Sequence, residues 1–239
     1  MRALVIEHDP LSTPERVGEH LERRGFTLEV LVVVEDPRDP EVTARFPDIG
    51  HDLVVLMGSP WSVYDPRVRG WVHPELQFIR DRAGADAPML GICFGAQVMA
   101  AALGGSVRPS DRPEHGWGPI GSKVGQIADG PWFQFHHDEI LRPTGANELA
   151  RNHSGTQAFR VGRSLGVQFH PEMTEGLIAS WCRAGADEPL IAAGLDPDRV
   201  VEESRHRALE SQPALECMLD WFLEVVAAGD GGQGADGVG

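Results

Sequence analysis

The chain is short of positive charge, of cysteine and of long apolar runs. Its 21 basic residues face 36 acidic ones, giving a formal net charge of −15 and a pI of about 5.0. Such a surface repels the phosphates of nucleic acids and anionic lipid headgroups, so neither a nucleic acid nor a membrane is an expected partner. The single lysine, Lys123, lies in Gly121-Ser-Lys-Val124, which is not a phosphate-cradling GK[ST] loop, and no other nucleotide-binding motif is present. Cys93, Cys182 and Cys217 are too few and too scattered for a disulfide framework or a CxxC metal site. Their scarcity fits a reducing compartment, and the expected location is cytoplasmic. The first apolar run, Ala3-Leu-Val-Ile6, stops at Glu7 and is too short for a secretory signal or a membrane span. What remains is ordinary globular composition, 41% hydrophobic and 24% charged, which excludes collagen, coiled coil and wholesale disorder.

Short apolar runs alternate with helical patterns through the first hundred residues. Strands are expected at Ala3–Ile6, Leu28–Val34, Asp52–Met57 and Pro88–Ile92. Helices are expected from Pro14 to Arg24, closed by Gly25, around Val72, Leu76 and Ile79, and from Ala96 to Leu103. Strands that are apolar throughout and separated by helices imply a parallel sheet covered on both faces. From Ser106 to Phe169 the pattern shifts to short β-like pieces at Ile120–Val124, Trp132–Phe135, Leu149–Arg151, Gln157–Val161 and Leu165–Phe169, read as an inserted antiparallel layer. After Thr174 the chain is helical again, and the amphipathic stretch Val201–Ala228 carries a break signal at Pro213. Residues 1–228 are expected to form one domain, and the Gly-rich residues 229–239 a disordered tail.

The densest chemical signal is Gly91-Ile92-Cys93-Phe94-Gly95. A nucleophile-type residue between an apolar strand and a helix, with glycines two before and two after it, is the pattern of a nucleophile elbow. The glycines let two chain segments pass closely, and the helix amides that follow favour thiolate over thiol. A base is offered by His170 in Gly166-Val-Gln-Phe-His-Pro-Glu172. Pro171 biases His170 toward extended backbone, where residues two apart share a side, so Glu172 can hold the imidazole tautomer.

These pieces carry a resemblance that covers nearly the whole chain. It resembles the class I, triad-type glutamine amidotransferases, and within them the stand-alone relatives of the GMP synthase amidotransferase domain. The matching segments stand in family order: Met57–Asp65, Leu90–Gln97, Glu114–Trp117, Phe133–Asp138, Gln157–Phe159 and Gly166–Glu172. The resemblance implies a flavodoxin-like three-layer fold and hydrolysis of a γ-carboxamide to carboxylate and ammonia. It implies Cys93 as nucleophile, His170 as base and then acid, and Glu172 as the orienting carboxylate. Gly58, Ser59 and the amide of Phe94 would form the oxyanion hole, Gln97 would line the substrate pocket, and His136-His137-Asp138 would meet the α-amino and α-carboxylate groups of glutamine. The family often has a second glycine where this chain has Ser59 and a histidine where it has Ala96.

Three other readings compete. A metal site at His136-His137-Asp138 with His115 and His153 is disfavoured because adjacent residues of an extended segment point to opposite faces, and no metal or cofactor is expected. A cysteine-elbow hydrolase of the dienelactone type would place its acid before the histidine, not two residues after it. A catalytically silent module would not need all three triad members. The substrate is expected to be glutamine, with ammonia passed to a separately encoded synthetase, or a γ-glutamyl amide cleaved by a free-standing amidase. In the first case Trp61 and Tyr64, with Trp117 and Trp132 near the same opening, are the expected exposed docking aromatics, while Cys182 and Cys217 are expected to be inert packing residues.

Overall fold

The computed structural model describes residues 1–47 and 50–228. The expected tail at residues 229–239 therefore lies outside the described residues. Nine strands form: β1 (Arg2–Glu7), β2 (Thr27–Val32), β3 (Leu53–Leu56), β4 (Met89–Ile92), β5 (Ser106–Gly118), β6 (Trp132–Leu141), β7 (Asn147–Asn152), β8 (Gly155–Val161) and β9 (Ser164–Val167). Seven of them make one sheet in the order β2-β1-β3-β4-β9-β8-β7. From β2 to β9 every neighbour is parallel, and β8 and β7 close that edge as antiparallel strands. The parallel order is that of a flavodoxin-like doubly wound sheet, in which ligands bind beyond the carboxyl ends of the strands.

Seven helices, α1 (Glu15–Arg23), α2 (Arg69–Gly84), α3 (Phe94–Ala102), α4 (Glu175–Trp181), α5 (Asp187–Ala192), α6 (Pro197–Glu210) and α7 (Gln212–Trp221), cover the strands. Alternation along each strand divides the core. Val5, Val55, Ile92 and Val167 face α1 and α7, while Leu4, Ile6, Val54 and Leu56 face α2 and α3. Each such fully buried aliphatic side chain contributes about 1.5–3 kcal/mol by leaving water. A smaller third cluster, Phe133, Met173, Leu177, Ile178, Leu190 and Val200, packs under the β5–β6 hairpin. Helices α4, α5 and α6 flank it, with a kinked segment, Cys182–Ala186, where Gly185 has φ 109°. The helical stretch does break at Pro213, which stands in the first turn of α7 just after Ser211.

The inserted layer is smaller than expected, and differently composed. Only β5 and β6 leave the main sheet. The strands at Leu149, Gln157 and Leu165 belong to the central sheet, because β9 is buried at all four positions and fits between β4 and β8. The expected strand at Ile120–Val124 is a turn with one bridge, Ser122 to Ala150. Gly121 there has φ 64°, and the Ser122 hydroxyl caps the Val124 carbonyl at 2.9 Å. Conversely β5 reads as loop in the sequence because it holds Pro109 and Pro113. It forms as one half of a two-stranded sheet, where a missing N–H can face away from the only partner, and its register slips between Pro109 and Glu114. Among the described residues no helix is long and apolar enough to cross a membrane.

Candidate active site

Cys93 lies between β4 and α3 with φ 51° and ψ −108°, a backbone state that non-glycine residues rarely adopt. Two hydrogen bonds hold that strain. The Cys93 N–H donates to the Val167 carbonyl of β9 at 2.8 Å, and the Gly95 N–H donates to the Met57 carbonyl at the end of β3 at 3.0 Å. A Cβ on Gly95 would stand 2.0 Å from the Leu56 carbonyl oxygen, and one on Gly91 would stand 2.7 Å from the Gly95 carbonyl. Both elbow glycines are therefore steric necessities. The sulfur sits at the N-terminus of α3, where unpaired helix amides favour an anion.

His170 and Glu172 follow β9 and are buried. The His170 N–H donates to the Phe133 carbonyl of β6 at 2.8 Å, and Trp181 packs edge-on against the ring with centroids 5.1 Å apart. Nδ1 lies 2.7 Å from Oε1 of Glu172. An ionised carboxylate only accepts, so Nδ1 carries the proton and Nε2 is left for Cys93. The buried Nε2 has no other hydrogen-bond partner among the described residues. Burial, the largest influence, favours a neutral ring, but the adjoining Cys93 and Glu172 outweigh it and raise the pKa to about 10. Gly58 comes close here too, since a Cβ on it would stand 3.2 Å from His170 Cε1.

A cavity of about 450 Å³ opens at this edge and is lined by Ser59, Cys93, Gln97, His136, His137, Asp138 and His170, together with Asp9, Leu11, Trp61, Phe135, Trp181 and Pro189. Phe94 begins α3 directly after Cys93 and is buried. Gln97 donates to Gln168 at 3.3 Å, and Gln168 in turn donates to the Cys93 sulfur at 3.6 Å, a chain of amides that restrains the thiol. His136 and His137 point to opposite sides of β6. The first is buried against Glu114 at 3.2 Å, and the second is exposed, 3.1 Å from the Ser62 hydroxyl. Asp138 is buried and accepts from Ser62 at 2.6 Å and Tyr64 at 2.5 Å, so its carboxylate ties the loop after β3 to β6.

Some expectations fail locally. Trp61 is buried at 8% exposure and packs edge-on against Trp71, because the loop after β3 folds back over α2; Tyr64 keeps its ring 47% exposed. Trp117 bonds Ser204 of α6 and Trp132 stacks on Phe169, so neither lines the cavity, where Phe135 and Trp181 stand instead. Cys182 is half-buried and Cys217 is exposed, which removes the packing role expected of Cys217. The role of Gln168 is one that sequence reasoning misses, although alternation along Gly166–Glu172 puts it on the same side as His170. Arg16 of α1 gives no sequence signal at all. It is buried, donates to the Met173 carbonyl at 3.3 Å and the Ser211 hydroxyl at 3.2 Å, and Glu172 is the carboxylate that acts on it most strongly.

A doubly wound α/β sheet with a thiol at a strained strand-to-helix turn and a histidine–carboxylate pair beside it defines a protein of the cysteine amidohydrolase kind. Residues 15–180 match the family described as glutamine amidotransferase class-I, and the chain belongs to that family. It is 28% identical over 181 residues to a γ-glutamyl-L-1-hydroxyisopropylamide hydrolase of a Pseudomonas species, covering 68% of this chain and 59% of that protein. It is 32% identical over 136 residues to a glutamine-hydrolysing subunit of GMP synthase from Sulfolobus acidocaldarius, covering 51% of this chain and 68% of that one. Of the full-length GMP synthases of Aeropyrum pernix and Aromatoleum aromaticum it spans only 24% and 31%. A crystal structure of a glutamine amidotransferase from Thermotoga maritima superposes with a TM-score of 0.80 over 94% of this chain and 99% of that one, at 24% identity, which establishes the fold.

Proposed function

We propose that residues 1–228 act as one catalytic unit that hydrolyses the γ-amide of a glutamyl substrate through a thioester on Cys93. The observation that carries this reading is the meeting of Cys93, at its strained turn, with the buried His170–Glu172 pair. The Cys93 thiolate attacks the amide carbon, and the oxyanion that forms is held by the N–H groups of Ser59 and Phe94. His170 Nε2 passes its proton to the departing nitrogen, the C–N bond breaks, and ammonia or an amine leaves. His170 then takes a proton from water as it attacks the thioester, releasing the carboxylate and restoring the thiolate. Glu172 keeps the imidazole oriented and stabilises its charged form. The walls offered by Gln97, His136, His137 and Asp138 bound the glutamyl end of the substrate.

Selective labelling tests the nucleophile. A glutamine-shaped chloroketone modifies Cys93 alone, read by peptide mass spectrometry, whereas iodoacetamide also modifies exposed Cys217. Chloroketone labelling chiefly at Cys182 or Cys217 would overturn the assignment.

The cavity supports a γ-glutamyl amide of an organic amine over glutamine itself. Leu11, Trp61, Phe135 and Trp181 give it apolar walls, and the chain's own Trp181 and Pro189 help to enclose it. A methylene in such a pocket is worth about 1–3 kcal/mol, so γ-glutamyl alkylamides should exceed glutamine by roughly tenfold or more in kcat/KM. The second reading, ammonia supply to a separately encoded synthetase, is supported by the likeness to the Sulfolobus GMP synthase subunit, and by exposed Tyr64 beside the site. Under it, glutamine turnover rises when a synthetase partner is added, and Tyr64→Ala weakens the rise more than the basal rate. Glutamine turnover that needs such a partner, with the alkylamides untouched, would overturn the first reading.

A further inference from the structure

Behind the loop that carries Gly58 and Ser59 lies a second histidine–carboxylate pair that the proposed thioester chemistry does not use. His8 follows β1 and continues the alternation of Leu4 and Ile6 onto the α2 and α3 side of the sheet. Its ring is fully buried, 5.4 Å from Trp71 and 4.7 Å from Phe94 between ring centroids. Nε2 lies 3.0 Å from Oε1 of Glu75, which is also fully buried on a helix face that otherwise shows Trp71, Val72, Phe78 and Ile79. Nδ1 lies 2.9 Å from the Gly58 carbonyl oxygen. A carbonyl has no proton to give, so Nδ1 is the donor whichever form Nε2 takes.

We propose that His8, braced by Glu75, is a positioning residue that holds the Gly58–Ser59 peptide with its N–H turned toward Cys93. In a planar trans peptide the C=O and the following N–H point in opposite directions. With the Gly58 carbonyl drawn toward His8 on the α2 side, the Ser59 N–H is directed to the other side of the loop. That side is the catalytic one: Gly58 approaches His170 there, and Ser59 lines the cavity with Cys93. Stability alone does not account for the pair, since a buried ion pair adds little over well-packed apolar residues of the same volume. Burial tends to discharge His8, but the charge and hydrogen bond of Glu75, with the Gly58 carbonyl and Asp9, raise its pKa and keep the bracing proton in place.

This inference rests on the reading of Ser59 as an oxyanion donor, and the test separates the two. Turnover is followed with L-γ-glutamyl-p-nitroanilide and by ammonia release from glutamine, and the Cys93 thiol by its iodoacetamide alkylation rate, resolved by peptide mass spectrometry. His8→Gln places its amide at the Nε2 position and loses the Gly58 contact, so kcat falls about 100-fold while KM and the alkylation rate stay within about threefold. His8→Asn places its amide nitrogen where Nδ1 stood and recovers kcat to within about tenfold of the parent chain. His8→Leu, which fills the space without a donor, gives the same loss and serves if His8→Gln does not fold. Equal losses in the Asn and Gln variants, alkylation falling in step with kcat, or full kcat in His8→Gln would each overturn the role of His8. Turnover by Cys93→Ala would instead overturn the thioester reading beneath it.

Discussion

Cys93→Ala abolishes turnover of γ-glutamyl amides and of glutamine, and His170→Ala nearly does so, because each removes an atom at which a bond forms or breaks. Glu172→Ala keeps more activity, by roughly one to two orders of magnitude, since the carboxylate orients and stabilises the imidazole without entering a bond to substrate. The ranking is measured as kcat on the purified variants, with folding checked by thermal melting. The 2.7 Å contact at Nδ1 and the burial of the whole pair set the size of the Glu172 effect. Removing it frees the ring to turn and withdraws the charge that helps keep His170 protonated. A Glu172→Ala variant that is folded yet as inactive as Cys93→Ala would give Glu172 a part in proton transfer rather than orientation.

Gly95→Ala has the largest expected effect on stability. The added carbon would stand 2.0 Å from the Leu56 carbonyl oxygen, and that oxygen belongs to the backbone of β3 and cannot swing aside. Separating α3 from β3 costs roughly 3 kcal/mol or more. In a chain of this size that lowers the melting temperature by about 10 °C. Activity falls with it, because the Gly95 N–H to Met57 bond that supports the Cys93 turn cannot form. Gly84→Ala is the matched control. It has nothing within 4 Å of its added carbon and sits at the end of a helix, so it leaves the melting temperature unchanged or raises it slightly. Equal melting temperatures for the two variants would show that the elbow opens at little cost.

The parallel half of the fold and the reactive centre are legible in the sequence for one physical reason: both are local patterns. An all-apolar run such as Leu53–Leu56 can only be a strand covered on both faces, and Gly-Ile-Cys-Phe-Gly encodes a close chain crossing within five residues. The spacing of His170 and Glu172 likewise contains its own geometry. What stays hidden is set by partners distant in sequence. Pro109 and Pro113 argue against a strand until β6 is known to pair on only one side of them. Trp61 in a polar loop looks exposed until Trp71 of α2 is placed beneath it. Glu75 on an apolar helix face is the one visible anomaly pointing to a buried pair, and its partner His8 directly follows β1, far earlier in the chain.

The pairing of β4 with β9 has a bearing on how this protein is made. The strand that delivers Cys93 is synthesised well before the strand that delivers His170, and the β5–β6 hairpin and both edge strands lie between them in sequence. Contacts of such wide separation form late, after their loop-closure entropy has been met. A nascent chain exposing only the first half therefore displays an ordinary cysteine, with neither Gln168 beside its sulfur nor an imidazole to draw off its proton. Its reactivity is conferred when β9 slides in between β4 and β8, so the thiol is chemically quiet on the ribosome and becomes a nucleophile only in a finished molecule.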